Sequence, residues 1–174
     1  MPELLIGCGS NRLKMPVPGR PRDWTALVTC DMNEAHKPDV VHDLNVTPWP
    51  WADDTFDEVH GYEVLEHLGR QGDFRAFFAQ FFEAWRILKP GGVLCGTSPS
   101  VNSPWLWGDP GHTRTIQAES FVYLSQAQYR KQLDCAPEFR TAMTDYRFCW
   151  KGDFVPMLLT DDGGTLRYIL KAVK

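Results

Sequence analysis

Residues 4–24 read LLIGCGSNRLKMPVPGRPRDW, and this stretch limits the folds open to the chain. An apolar run enters Gly7-Cys8-Gly9, as a buried strand enters a ligand-binding turn. A nucleotide-binding fold would continue into a helix whose N-terminus faces the ligand. Pro16, Pro18 and Pro21 forbid that helix, because each removes a backbone donor and clashes with the preceding turn. The spacing therefore predicts an irregular connection over 10–24, with at most a turn of helix, before a second strand.

Further apolar runs fall at 3–6, 26–30, 40–41, 57–62 and 92–97. They are short and continuous rather than strictly alternating, which predicts strands covered on both faces of a parallel sheet. The segment 73–88, DFRAFFAQFFEAWRIL, predicts a helix, with Phe74, Phe77, Phe78, Phe81, Trp85 and Leu88 at helical spacing. Asp73 caps its start, Lys89-Pro90-Gly91-Gly92 stops it, and its aromatic stripe reads as core. A second helix is expected over 118–132, marked by Phe121, Leu124 and Leu133. Near the end, 139–150 and 165–173 are strand candidates, and Asp161-Asp162-Gly163-Gly164 can supply a tight turn between them. The expected fold is α/β: a Rossmann-like, mostly parallel sheet with a C-terminal antiparallel hairpin. It has three α/β/α layers, a reduced first crossover helix, and one domain over 1–174.

Composition narrows the function. The 18 basic and 22 acidic residues leave a net charge of −4 and no basic arm, which argues against nucleic acid as a partner. Five cysteines, an odd number without a C-x-x-C pair, read as reduced thiols of a cytoplasmic protein. Neither cysteines nor histidines show ligand spacing, so no metal is expected. The absence of a membrane-length apolar run and of a signal peptide predicts no membrane association.

The glycine loop gains meaning from the order of the segments after it. Asp31 closes the second strand, where an acid can accept hydrogen bonds from two ribose hydroxyls. After the third strand come His42-Asp43-Leu44-Asn45, an acid for an exocyclic amine beside an apolar side chain for an aromatic base. WPWADDTFDEVHGYEVLEHL spans the fourth strand, and AWRILKPGGVL joins the helix to the fifth. Together with LLIGCGS, VVHDLN and GDPGHTR…AESF, this set resembles the class I S-adenosylmethionine-dependent methyltransferases, in their small type 11 subgroup.

The resemblance implies S-adenosylmethionine as cofactor and methyl transfer by in-line displacement. Gly7, Cys8 and Gly9 would approach the methionine moiety, and Asp31 the ribose. Met32 would pack beside the adenine, Asp43 would receive its amine, and Leu44 would stack on the ring. Gly61, Tyr62 and Glu63 would lie where the methyl group emerges. Leu5 stands where many members carry an acid or amide that orients the methionine amine. Ser10 and Asn11 stand in place of a third glycine, and Glu63 or a carbonyl near Gly61 can hold the ammonium instead.

A base is needed only for an acceptor that must lose a proton, and His67, His112, Tyr62 and Glu63 are the candidates. His112 lies in the long connection 98–116, with Trp105 and Trp107, where acceptor pockets or lids are usual. The DNA amino-methylase signature and a Pro-Cys nucleophile are both absent, which favours a small-molecule acceptor. The chain's small size leaves room for a homo-oligomer or partner subunit to complete the pocket. The alternative is a catalytically inactive member of the fold, binding cofactor or serving as a partner subunit. A nicotinamide-binding domain needs the crossover helix and third glycine that are missing here.

Overall fold

The computed structural model describes residues 1–127 and 146–174. Seven strands among them form one sheet: β1 (Pro2–Ile6), β2 (Ala26–Asp31), β3 (Val40–Val41), β4 (Phe56–Tyr62), β5 (Leu88–Pro99), β6 (Phe154–Asp161) and β7 (Thr165–Ala172). Their spatial order is β3-β2-β1-β4-β5-β7-β6. The first five pair in parallel; β7 runs antiparallel to both β5 and β6. The winding reverses between β1 and β4, and a crevice opens at the carboxyl ends of the strands at such a point.

One face of the sheet carries α1 (Phe74–Ile87). The Asp73 side chain accepts from the Ala76 amide at 3.0 Å and so caps the helix. Phe78, Phe81, Ala84 and Ile87 are buried with Leu4, Ile6, Val59 and Leu94 of the sheet, so the aromatic stripe is core. The segment Lys89 to Gly92 is not a loop. It forms a bulge within β5, where pairing jumps from Phe56–Leu88 to Glu58–Val93 and Gly91 takes φ of 75°.

The opposite face carries the proline-rich segment instead of a helix. Val17 packs there against Val93, Cys95 and Ile169. By strand alternation Glu3 of β1 and Glu58 and His60 of β4 also point to this side, all fully buried. Lys14 reaches down from the segment to Glu3 at 2.6 Å and to Glu58 at 3.1 Å. His60 contacts Glu58 through Nε2 at 2.8 Å and the Tyr62 hydroxyl through Nδ1 at 2.7 Å. That hydroxyl also accepts from the Met15 amide at 2.8 Å. A helix would seal this face with an apolar stripe; here a coil seals it with charge and hydrogen bonds. The expected reduction of the first crossover is complete, since 10–24 contains no helical segment.

Two expected elements differ. Residues Ala118–Leu124 form a 3₁₀ helix, which ends at Ser125 in an extended conformation, so no continuous helix runs over 118–132. Phe121 and Leu124 are buried as expected, while 128–132 and Leu133 lie outside the described residues. The first strand of the hairpin is β6, not 139–150; residues 139–145 lie outside the described residues, and Tyr146–Phe148 form a short 3₁₀ turn. Pro156 obscures β6 in the sequence. It is accommodated because β6 is the edge strand and its pairing shifts between Pro156 and Leu158. Trp150 is buried beneath the hairpin, donating from Nε1 to the Leu124 carbonyl at 3.0 Å. Among the described residues, Cys8, Cys30, Cys95 and Cys149 are free thiols, and no helix is long and apolar enough to cross a membrane.

Candidate cofactor and active site

At the carboxyl ends of β1 to β4 lies an open cleft of about 530 Å³, lined by residues from four separate segments. Gly7 comes from the turn after β1, Asp31 and Met32 from the end of β2, and His42, Asp43 and Leu44 from beyond β3. Glu63, Val64, His67 and Leu68 come from the turn after β4.

Gly7 is required at its position. Its φ is 54°, and an added Cβ would stand 2.5 Å from Val64 Cγ2. Gly7→Ala is expected to cost about 1–3 kcal/mol of stability and to weaken ligand binding, as denaturant titration and calorimetry would show. A variant of unchanged stability would contradict the need for glycine there.

Asp31 binds the loop as well as facing the cleft. Its Oδ2 accepts from the Gly9 amide at 2.8 Å, and its Oδ1 from the Asn33 amide at 2.8 Å. His36 Nδ1 lies 3.2 Å away. Burial alone would raise the Asp31 carboxyl, but the two amides, helped by His36, outweigh it and hold the group below the usual range. Asp31 therefore stays an anionic acceptor. Arg12, which the sequence did not mark, performs the task of the missing helix. Its guanidinium donates to the carbonyls of Cys8 at 2.9 Å, of Gly9, and of His36 at 3.1 Å, tying the loop to the segment after β2.

Asp43 accepts from the Asn45 amide at 2.9 Å through Oδ1. Leu44 is buried, its carbonyl accepting from Trp49 Nε1 at 3.1 Å. Met32 stands exposed at the rim. Glu63 adopts φ of 55°, a left-handed conformation that costs energy for a non-glycine residue and persists where the surroundings hold it. Its amide donates to the Thr97 carbonyl at 3.0 Å. Close by in the same turn, Glu66 is fully buried, and burial, with Glu63 adding to the effect, pushes its carboxyl up to about 8.

The cleft thus brings together Gly7, Asp31, Met32, Asp43, Leu44, Glu63 and His67. Cys8, Gly9, Gly61, Tyr62 and His112 are not part of its lining. Gly9 joins it through Asp31, and Gly61 is buried at the end of β4. Tyr62 turns away, its hydroxyl held by His60 and Met15 in the buried network on the other face. Burial drives that phenol well above its ordinary value, so it stays protonated. His112 sits behind the cleft wall against His67, the two rings 4.6 Å apart in a T-shaped contact. Leu5 is buried on the same side of β1 as Glu3, so its substitution does not alter the cleft lining.

The chemistry of the lining selects its ligand. Three carboxylates, Asp31, Asp43 and Glu63, face the cleft, and among the described residues its lining contains neither lysine nor arginine. A diphosphate would be repelled. A ligand with a sulfonium, an ammonium, two ribose hydroxyls and an exocyclic amine meets acceptors throughout. Residues 4–96, more than half of the chain, match the family model of a methyltransferase domain. The chain belongs to that family, and its type is the class I, S-adenosylmethionine-dependent one.

Solved structures of similar fold agree. A SAM-dependent methyltransferase from Archaeoglobus fulgidus superposes with a TM-score of 0.56 at 16% identity, over 99% of this chain and 86% of the other. The N-methyltransferase NodS from Bradyrhizobium japonicum WM9, in complex with S-adenosyl-L-homocysteine, gives 0.53 at 14%, over 99% and 78%. The SeMet-substituted CurJ carbon methyltransferase gives 0.55 at 15%, over 99% and 48%. At such identities these likenesses establish the fold alone. No curated protein matches the chain. The cofactor of this methyltransferase domain is S-adenosylmethionine, and the donor set of the cleft fits it.

Proposed function

We propose that this methyltransferase domain transfers the methyl group of S-adenosylmethionine to a small-molecule acceptor. The observation that carries the reading is the cleft itself, in which carboxylates from the ends of β2, β3 and β4 surround a glycine turn that Arg12 ties to the segment after β2. Asp31 accepts from the ribose hydroxyls, Asp43 takes the adenine amine, Leu44 packs the base, and Glu63 holds the ammonium. The sulfonium methyl is already activated, so the chain's task is alignment, which supplies roughly 7–11 kcal/mol in well-oriented reactions. The acceptor's electron pair forms the new bond to the methyl carbon as the carbon–sulfur bond breaks toward sulfur.

The acceptor enters from the side of His67 and of the helical turn Trp105–Gly108, which is fastened to His112 through the Leu106 carbonyl at 3.1 Å. Trp105 and Trp107 are exposed there and offer flat surfaces to a planar acceptor or to a second subunit. The sequence's lack of a basic arm favours a small molecule over nucleic acid.

Calorimetric titration with S-adenosylhomocysteine tests the cofactor half of the reading. The expected result is binding near one per chain, followed by methyl transfer in an acceptor screen. Failure of the folded protein to bind even millimolar ligand would refute it.

A further inference from the structure

We propose that Glu66, His67 and His112 form a binding site for a divalent transition metal of the zinc type, beside the cofactor cleft. One ligand atom from each residue lies within 4.8 Å of the other two. The histidines come from segments far apart in sequence, which is why no ligand spacing shows along the chain. The structure locks those segments together. The amides of Thr113 and Arg114 donate to the Glu66 carbonyl at 2.9 and 3.2 Å, and the Gln71 amide donates to the Thr113 carbonyl at 2.9 Å.

Both rings are oriented as metal ligands usually are. His67 Nδ1 lies 3.1 Å from the Gly111 carbonyl, and His112 Nδ1 lies 3.1 Å from the Leu106 carbonyl. A carbonyl can only accept, so each Nδ1 carries a proton and Nε2 is the nitrogen left to take a metal. The carboxylate supplies an independent sign. Glu66 is fully buried; its Oε2 accepts from Ser98 Oγ at 2.9 Å, while its Oε1 has no hydrogen-bond partner among the described residues. A buried carboxyl oxygen without a partner is costly, and a cation that takes the place of the carboxyl proton resolves it.

Two imidazoles and one carboxylate suit zinc, iron, cobalt or nickel rather than magnesium or calcium, which prefer oxygen alone. Three protein ligands also leave coordination positions open. His67 lines the cleft as well, so the metal site adjoins it. An acceptor hydroxyl or thiol bound there would lose its proton to water more readily and be fixed in place. That last step rests on the methyltransferase reading; the metal site does not.

The test is titration of the metal-stripped protein with Co²⁺, read by visible absorption and calorimetry without any S-adenosyl ligand. The expected result is one equivalent bound with the d–d bands of a nitrogen- and oxygen-ligated ion. Affinity should fall at least about ten-fold in His67→Gln, His112→Ala and Glu66→Gln, while His42→Ala leaves it unchanged. His67→Gln, at a half-buried position, keeps the test sound if His112→Ala does not fold. No binding, binding indifferent to His67→Gln, or thiolate charge-transfer bands would overturn the site. A parallel S-adenosylhomocysteine titration separates the two ideas: binding of that ligand without Co²⁺ binding sinks only the metal, and the reverse sinks only the cofactor reading.

Discussion

Lys14→Met should destabilise the protein by about 3–5 kcal/mol, because it strips the shared cation from two buried carboxylates. Glu3 and Glu58 have no exposed surface, and the Lys14 side chain is 2% exposed. Without Lys14, Glu3 keeps the Thr25 amide at 2.7 Å and the Ala26 amide at 3.2 Å. Glu58 keeps only His60 at 2.8 Å, with Arg20 Nε at 3.9 Å. Those neighbours do not neutralise two charges. Burial pushes His60 below its ordinary value, so it serves Glu58 as a neutral donor, not a counter-ion. The loss should lower the melting temperature by on the order of 10 °C for a chain of this size. A cost below about 1 kcal/mol in denaturant titration would show that the coil layer is held by Val17 and Met15 alone.

Acid titration gives a second reading of the same network. Burial would raise both carboxyls, but Lys14 and the Thr25 and Ala26 amides hold Glu3 below its ordinary 4.5. Burial likewise opposes His60 and Lys14 at Glu58, and again the lowering prevails. A folded-state value below the unfolded one contributes stability that is present above pH 4.5 and lost as pH falls through the folded value. The native protein should therefore lose stability below about pH 4.5. In Lys14→Met, burial prevails at the orphaned carboxylates, so stability should rise as pH falls toward that point. Adding Glu58→Gln to Lys14→Met should recover part of the loss at neutral pH.

This network also explains what the sequence did and did not disclose. Strand positions were legible because β1, β2, β4 and β5 are apolar runs covered on both faces. The absence of a crossover helix was legible from three prolines. What replaces that helix was not, because Glu3, Lys14, Glu58 and His60 are polar residues far apart along the chain, brought together only by sheet register and by the coil that crosses it. Tyr62 suffers from the same blindness: its position at the carboxyl end of β4 suggested chemistry, but strand alternation places its hydroxyl on the far face. The cleft residues Gly7, Asp31, Asp43 and Leu44 were readable because each sits at the end of a strand, where a parallel sheet gathers them. Arg12 was hidden, since all its partners are carbonyls that no sequence pattern announces. β6 was displaced onto its neighbours because Pro156 argues against a strand unless the strand is known to be an edge.

Asp31→Ala should lower affinity for S-adenosylhomocysteine at least ten-fold, since a hydrogen bond to a charged group contributes about 1.5–3 kcal/mol and about 1.4 kcal/mol is a factor of ten. Two effects combine in that loss. The carboxylate is the proposed ribose acceptor, and it also takes the Gly9 and Asn33 amides, so its removal loosens the glycine turn. An analogue lacking one ribose hydroxyl separates them. The native protein should bind the analogue more weakly than the parent ligand, whereas Asp31→Ala should bind both alike. If the variant still discriminates, another residue reads the ribose and Asp31 only shapes the turn. If the variant binds as tightly as the native protein, the ligand does not lie across β2, and the assignment of Asp43 and Leu44 to the adenine fails with it. The geometry favours the first outcome: Asp31 is only 7% exposed and its two oxygens are already oriented by amides, so a hydroxyl meets a fixed, ionised acceptor with little left to reorganise.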